Sequence, residues 1–190
     1  MGLSISWLAV RGRPKADVLD ALGLEDVGAP SGRAKLFSAD LPDGWLLVFA
    51  QDMDWLTPAR LASASAGSEA VGCAVEEHVM YDDARGYRDG QEAWSVVHDA
   101  EKGIYDLQVS GTPPPAFAAI RDRLEREQRS ADAEAGGEAE VDLIFDIPTE
   151  LAKAVCGFKH DEPPEIAISV LKPKGEERKG GFFAGLFGRR

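Results

Sequence analysis

The stretch that most constrains the fold is residues 71–109, in which strand-like runs alternate with turn residues. Asp89-Gly90 lies near its centre. Both central residues of a type I′ turn need positive φ, and Asp-Gly is one of the pairs preferred in such two-residue hairpins. Residues 87–88 are then expected to pair back onto residues 91–92. The sequence therefore predicts an antiparallel meander.

The strand after this turn alternates in polarity, with Trp94, Val96 and His98 on one face. A loop over residues 99–102 would place Trp94 opposite Leu107 on the next strand. Cross-strand pairs that join aromatic and aliphatic side chains stabilise a sheet by roughly 0.2–1 kcal/mol each. One buried face and one wetter face follow from the alternation.

The preceding strand is expected to run as far as residue 81, with one glutamate on each face. Polar residues of the meander form a candidate catalytic site: His98, His78, Glu76, Glu77 and Asp99. Folding at Asp89-Gly90 would bring residue 98 opposite about residue 81, close to His78 on the neighbouring strand. A histidine beside a carboxylate can act as a general acid or base, as in a hydrolase. The alternative is that His98 caps a strand end and that the glutamates are solvated or pair with Arg85 or Arg88.

A metal site is a further possibility, built from Cys73, His78, Cys156 and His160. Cys156 and His160 are spaced i,i+4, but Gly157 falls between them, where a helix is expected to end. Structural zinc sites normally show closely spaced cysteine pairs, which this chain lacks. We therefore expect two buried thiols, no metal and no cofactor. Walker A, Rossmann and G-x-S-x-G motifs are absent from the sequence.

Charge and composition limit the classes of partner. The chain has 190 residues and a net charge of −12. Binding to nucleic acid would need clustered Lys and Arg, so this charge argues against a nucleic-acid-binding protein. Residues 1–10 do not read as a signal peptide, and no apolar run is long enough to span a membrane. With only two cysteines, far apart in sequence, a reduced cytoplasmic protein without disulfides is expected.

The order of elements predicts an α+β fold: a mostly antiparallel sheet with a central meander, and helices packed on one face. Besides the meander, we expect strands at 4–10, 34–38, 45–50, 141–147 and 165–171, and helices at 16–22, 57–65, 116–129 and 148–155. Residues 25–33 read as a loop and residues 130–140 as a flexible excursion. Residues 1–171 are predicted to form one domain, and residues 172–190 a flexible basic linker and Phe-rich tail.

The tail is the second distinctive feature. It carries +4, which leaves −16 for the rest of the chain. A partner- or membrane-contact site is predicted at Phe182, Phe183, Leu186, Phe187, Arg189 and Arg190. A short apolar face flanked by cations suits an anionic membrane surface or a groove on a protein partner. The alternative is that the tail packs on its own acidic body or on a neighbouring copy.

Three segments, VEEHVMY, YRDGQEAWSVVHD and FDIPTELAKAVCGFKHDE, together resemble a family of uncharacterised bacterial cytosolic proteins with no assigned activity. The resemblance covers most of residues 5–162 and implies only a bacterial, soluble, single-domain protein. The leading hypothesis is a non-enzymatic binding or interaction protein, accessory or immunity-like, with an unidentified protein partner. The alternatives are a small hydrolase that uses the meander residues and a peripheral membrane adaptor held by the tail. The sequence is compatible with either a monomer or a homo-oligomer, and no nucleic-acid partner is expected.

Overall fold

A computed structural model describes residues 2–28, 34–162 and 165–175. Within these residues the strands are β1 (Ser4–Arg11), β2 (Leu24–Gly28), β3 (Leu36–Asp40), β4 (Trp45–Ala50), β5 (Glu69–Glu76), β6 (Tyr81–Arg88), β7 (Gln91–Asp99), β8 (Gln108–Gly111) and β9 (Ile168–Pro173). The α-helices are α1 (Lys15–Leu22), α2 (Pro58–Ala64), α3 (Ala116–Ala135) and α4 (Asp146–Cys156). All strands join one antiparallel sheet in the order β2-β9-β3-β4-β1-β5-β6-β7-β8. The predicted α+β class is confirmed.

The helices lie on both faces of the sheet, not on one face as the sequence suggested. β1 shows why, because Trp7 and Ala9 join one apolar cluster whereas Leu8 and Val10 join another. Helices α3 and α4 cover the first cluster, and α1 and α2 cover the second. β4 is likewise buried on both faces, as its continuous apolar run predicted. A sheet centre that is apolar on both sides needs a cover on each side.

The meander is formed by β5, β6, β7 and β8. Asp89 and Gly90 have φ of 50° and 77°, so the predicted turn between β6 and β7 is confirmed, and residues 87–88 pair with residues 91–92. The preceding turn was missed, because residues 77–80 reverse the chain and the strand does not continue to residue 81. Met80, with φ of 51°, takes the left-handed position there, without the Gly or Asn that would have marked it.

The register between β7 and β8 differs from the prediction. Trp94 pairs with Gly111 and Val96 with Val109, so Leu107 is not opposite Trp94. The loop is longer than expected, because a 3₁₀ turn over residues 100–102 is followed by more irregular chain before β8 begins. Leu107 still packs against the same apolar cluster as Trp94. The two side chains therefore share a face of the sheet without being cross-strand neighbours.

Residues 141–147 were predicted to form a strand, and this prediction is wrong. The amide of Gln128 on α3 donates to the Val141 carbonyl at 2.9 Å and accepts from the Leu143 N–H at 2.7 Å. This fully buried side chain satisfies backbone groups that a strand would have paired with a neighbour. Asp142 then accepts from the N–H of Phe145 at 3.1 Å, which closes the turn that leads into α4.

Residues 24–28 form the edge strand β2, although residues from 25 onward were predicted to be loop. β2 pairs with β9, and its sequence, LEDVG, is mostly exposed. An exposed edge strand keeps polar residues at most positions, so it resembles a loop in sequence.

The helix predictions are closer to the structure. Gly23, with φ of 68°, ends α1 as predicted, and Thr57 caps α2 by accepting from the N–H of Arg60. α3 extends six residues beyond the predicted end at residue 129.

Candidate functional site

His98, at the centre of the predicted site, is fully buried on β7. Its Nδ1 lies 2.7 Å from the backbone oxygen of Asp106, and its Nε2 lies 3.0 Å from Oδ2 of Asp142. Burial alone would lower the pKa of His98, but the hydrogen bond and charge of Asp142 outweigh it and leave that pKa raised. Both ring nitrogens are engaged, so His98 anchors the segments around residues 106 and 142 to the sheet.

The other predicted residues lie in two further places. His78 is exposed in the turn between β5 and β6, and its Nδ1 contacts the carboxylate of Glu76. Glu77 accepts from the backbone N–H of Leu3 at 2.8 Å. Asp99 caps the turn after β7 and contacts Lys102 Nζ at 2.8 Å. The structure therefore joins Glu76 to His78 on the surface but does not bring them to the buried His98.

Asp82 on β6 is the functional candidate that sequence reasoning missed. It is fully buried opposite His98 and accepts from Cys73 Sγ at 3.1 Å and from the N–H of Thr149 at 3.0 Å. The Thr149 hydroxyl also donates to it. Burial raises the pKa of Asp82 to about 7, although its hydrogen bonds from Thr149 and Cys73 act in the opposite direction. Because Thr149 lies in the first turn of α4, this carboxylate also faces the positive end of a helix.

One signal for Asp82 was present in the sequence. Once the turn is placed at residues 77–80, the β6 alternation puts Asp82 on the same face as Ala84, and both are buried. The neighbouring Asp83 faces the other way and pairs with Arg85 at 2.8 Å. Because no turn was predicted at residues 77–80, Asp82 was not identified as a buried carboxylate beside Asp83.

Replacement of Asp142 by alanine is expected to lower the free energy of unfolding by about 2 kcal/mol, because it removes the hydrogen bond to the Phe145 N–H and the partner of a buried imidazole. The pKa of His98, followed by NMR, should fall at the same time, since burial would act without the compensating carboxylate. Asp99→Ala is the matched control and removes the cap of an exposed turn, at a cost of under about 1 kcal/mol. An unchanged His98 pKa in Asp142→Ala would contradict this account.

The two cysteines are buried and free, as expected. Burial raises the pKa of Cys73 well above its ordinary value and that of Cys156 to about 11. Both thiols therefore stay protonated at neutral pH and are poor nucleophiles. Within the described residues, no three His, Cys, Asp or Glu side chains are grouped to hold a metal ion.

An apolar cleft opens on the α4 side of the sheet, at the C-terminal end of that helix. We call it the β3/β4 cleft, and its volume is about 250 Å³. It is lined by Phe37, Ser38, Ala39, Leu47, Phe49, Phe158, His160, Ile166 and Ile168. Phe158 packs edge-on against Trp7 at 5.3 Å and against Phe49 at 6.4 Å between ring centroids. The floor of the cleft is therefore rigid and aromatic, while Ile168 at its side is 45% exposed.

His160 is the polar side chain of this cleft. Its side chain is 7% exposed, and its buried Nδ1 has no hydrogen-bond partner among the residues the structure describes. Nε2 lies 3.9 Å from Oε1 of Glu77, which is too long for a hydrogen bond. Burial lowers the pKa of His160, so the ring is neutral at pH 7. The serine that also lines the cleft, Ser38, pairs with Val48 and therefore directs its hydroxyl to the opposite face of the sheet.

A larger cavity of about 520 Å³ lies towards the other end of the sheet, beside Trp45 and Trp94. Several of its polar side chains are already engaged. Glu69 contacts Arg11 and Arg88, and the hydroxyl of Tyr87 donates to a neighbouring glutamate at 3.1 Å. The β3/β4 cleft is smaller, and it is lined by the one histidine whose buried Nδ1 has no hydrogen-bond partner among the described residues.

In comparisons with known proteins, no family model, no curated protein and no solved structure matches this chain. The resemblance to a bacterial family therefore gains no support from them. No helix in the described part of the chain is long and apolar enough to cross a membrane. The predicted contact residues of the tail, 182–190, lie outside the described residues.

Proposed function

We propose that this chain is a non-enzymatic binding protein that receives an apolar side chain of a protein partner in the β3/β4 cleft. The observation that carries the proposal is an apolar cleft lined by an imidazole whose buried Nδ1 has no hydrogen-bond partner among the described residues. A buried polar atom without a partner costs about 1–3 kcal/mol, and a bound partner that provides the ring with a hydrogen bond recovers part of that cost.

The size of the cleft favours a side chain over a free metabolite. Pockets for small molecules usually measure about 300–1,000 Å³, whereas this cleft measures about 250 Å³. One aromatic or large aliphatic side chain would fill much of it and would contact Phe49 and Phe158. Anchor residues that fill such pockets usually dominate the affinity of protein interfaces.

Binding is preferred to hydrolysis because the histidines and carboxylates of the meander are already occupied. His98 has both nitrogens engaged in a closed interior, and Asp99 caps a turn. The exposed pair of Glu76 and His78 is separate from them. General acid–base catalysis would need such groups within reach of a bound substrate.

The test is selection from a random peptide library against the full chain. We expect enriched peptides that carry an aromatic or large aliphatic anchor, and we expect Ile168→Lys to weaken their binding at least about tenfold by placing a charge beside the cleft. Val109→Lys is the matched control, since Val109 and Ile168 are both 45% exposed and lie on different strands. Failure to enrich any peptide, or equal losses in the two variants, would refute the proposal.

A further inference from the structure

The surroundings of the β3/β4 cleft are acidic. Glu77 lies beside His160, and Asp161 and Glu165 are exposed along the segment that forms one wall. The lysine in this segment, Lys159, offsets only part of this charge, because it is a single buried cation whose Nζ lies within 3.4 Å of three carboxylates. These carboxylates belong to Asp146, Glu150 and Asp161. A ligand that combines apolar side chains with positive charge therefore fits this cleft.

The chain itself contains a segment with that chemistry. Residues 182–187 read FFAGLF and are followed at once by Gly188 and two arginines. The segment from residue 172 onward carries +4, whereas the remainder carries −16. Opposite charges raise the rate at which a tethered segment meets its site and favour the encounter.

The distance is compatible with docking within one molecule. β9 starts beside the cleft at Ile168, and the described chain ends seven residues later at Gly175. At about 3.3 Å per residue, these seven residues span roughly 23 Å. Seven further residues reach Phe182 and span at most about 24 Å when fully extended. Gly175, with φ of 82°, lies in a turn at the end of β9, where the chain changes direction. Phe182 can therefore return to the cleft, and Phe183, Leu186 and Phe187 have more reach.

We propose that an apolar side chain of residues 182–187 occupies the β3/β4 cleft of the same molecule and competes there with the protein partner. This inference rests on the proposed binding function of the cleft. The tail then acts as a tethered competitor: a partner must displace it, and its effective concentration is set by the short connection to β9. An apolar side chain fills the aromatic floor, and the two arginines that follow meet the acidic rim.

The experiment places a nitroxide spin label in the tail of the full chain, through Ala184→Cys. Both native cysteines are buried, so the new thiol is labelled preferentially. We expect paramagnetic broadening of NMR signals from Ile168, Phe37 and His160, and none from Val109 on the opposite part of the sheet. A variant with serine at all four apolar tail positions, 182, 183, 186 and 187, should lose the broadening. Glu176→Gln/Glu177→Gln, which keeps the apolar residues, should retain it.

A mixed sample distinguishes docking within one molecule from docking on a neighbouring copy. Spin-labelled protein without isotope enrichment is also mixed with isotope-enriched protein that carries no label. The same broadening in this mixture would place the tail on a neighbouring copy and overturn docking within one molecule. Uniform broadening, or none, would overturn the inference altogether.

Library peptides distinguish this inference from the proposed function. If the tail competes, peptides should bind the four-serine variant at least about tenfold more tightly than the wild-type chain. Peptides that bind both proteins equally would leave the cleft as a binding site but remove the tail from it. Specific broadening in a protein that enriches no peptide would instead leave the tail as the occupant and refute a partner site.

Discussion

The free energy of unfolding is expected to fall by on the order of 4 kcal/mol between pH 4 and pH 8 through Asp82 alone. Burial raises the pKa of this carboxyl from an ordinary 3.8 to about 7. Between these values the folded protein keeps a proton that the unfolded chain has lost, so the folded state loses stability as the pH rises. Below about pH 4 both states are protonated and the stabilising contribution is complete.

Asp82→Asn isolates this contribution, because the amide keeps the shape of the protonated acid. Its oxygen can accept the two bonds from Thr149, which both go to Oδ2, and its NH₂ group can face Cys73 Sγ at the Oδ1 position. Urea denaturation of both proteins at several pH values provides the measurement. His160, with a lowered pKa, titrates in both proteins and cancels in the difference. His98 cancels only while Asp82 is protonated, because the charge of Asp82 contributes to the raised pKa of His98.

The difference in unfolding free energy, wild type minus Asp82→Asn, should decrease steadily across this range. A flat difference between pH 4 and pH 8, or a slight rise near pH 4, would contradict this account. It would mean that the three donors offset burial, so that the pKa of Asp82 is no higher in the folded protein than in the unfolded chain.

Local signals in the sequence predicted local structure well. Asp89-Gly90 identified the β6–β7 turn, Thr57-Pro58 identified the start of α2, and the run WLLVFA identified a strand buried on both faces. Each of these signals depends on the backbone preferences or polarity of a few adjacent residues. Such preferences act before any tertiary contact forms, so they can be recognised in the chain alone.

Tertiary contacts explain the predictions that failed. Residues 141–147 have the polarity of a strand. Gln128 on α3, thirteen residues before Val141, forms hydrogen bonds with their backbone, so these groups do not pair with a neighbouring strand. The order of β2, β9 and β3 joins distant parts of the chain and has no local signature.

The candidate sites failed for a related reason. Asp82 becomes a buried acceptor only because α4 places Thr149 against it. His160 lies in a cleft whose other walls come from β3, β4 and β9. Neither environment can be deduced from neighbouring residues, because the partners are 67 residues away for Asp82 and more than 100 residues away for the β3 and β4 walls.

Replacement of Gly86 by alanine is expected to lower the free energy of unfolding by about 3 kcal/mol. A Cβ atom at this position would overlap the indole ring of Trp94, which lies against the glycine and is buried. The register of β6 and β7 shifts immediately after Gly86, so the backbone there is already adapted to the ring. Overpacking of a core typically costs about 1–3 kcal/mol, and the overlap of this Cβ atom with the ring is close enough to expect the upper end of that range. Thermal and urea denaturation provide the measurement.

Two further variants make the cause specific. Gly137→Ala is the matched control, since a Cβ atom there would meet nothing within 4 Å and the residue does not have positive φ; its cost should stay below about 0.5 kcal/mol. Trp94→Phe removes the part of the ring that carries Nε1. Gly86→Ala/Trp94→Phe should therefore be more stable than the sum of the two single losses predicts. Strict additivity would show that the glycine is needed for its backbone freedom and not for the space that it leaves to the tryptophan.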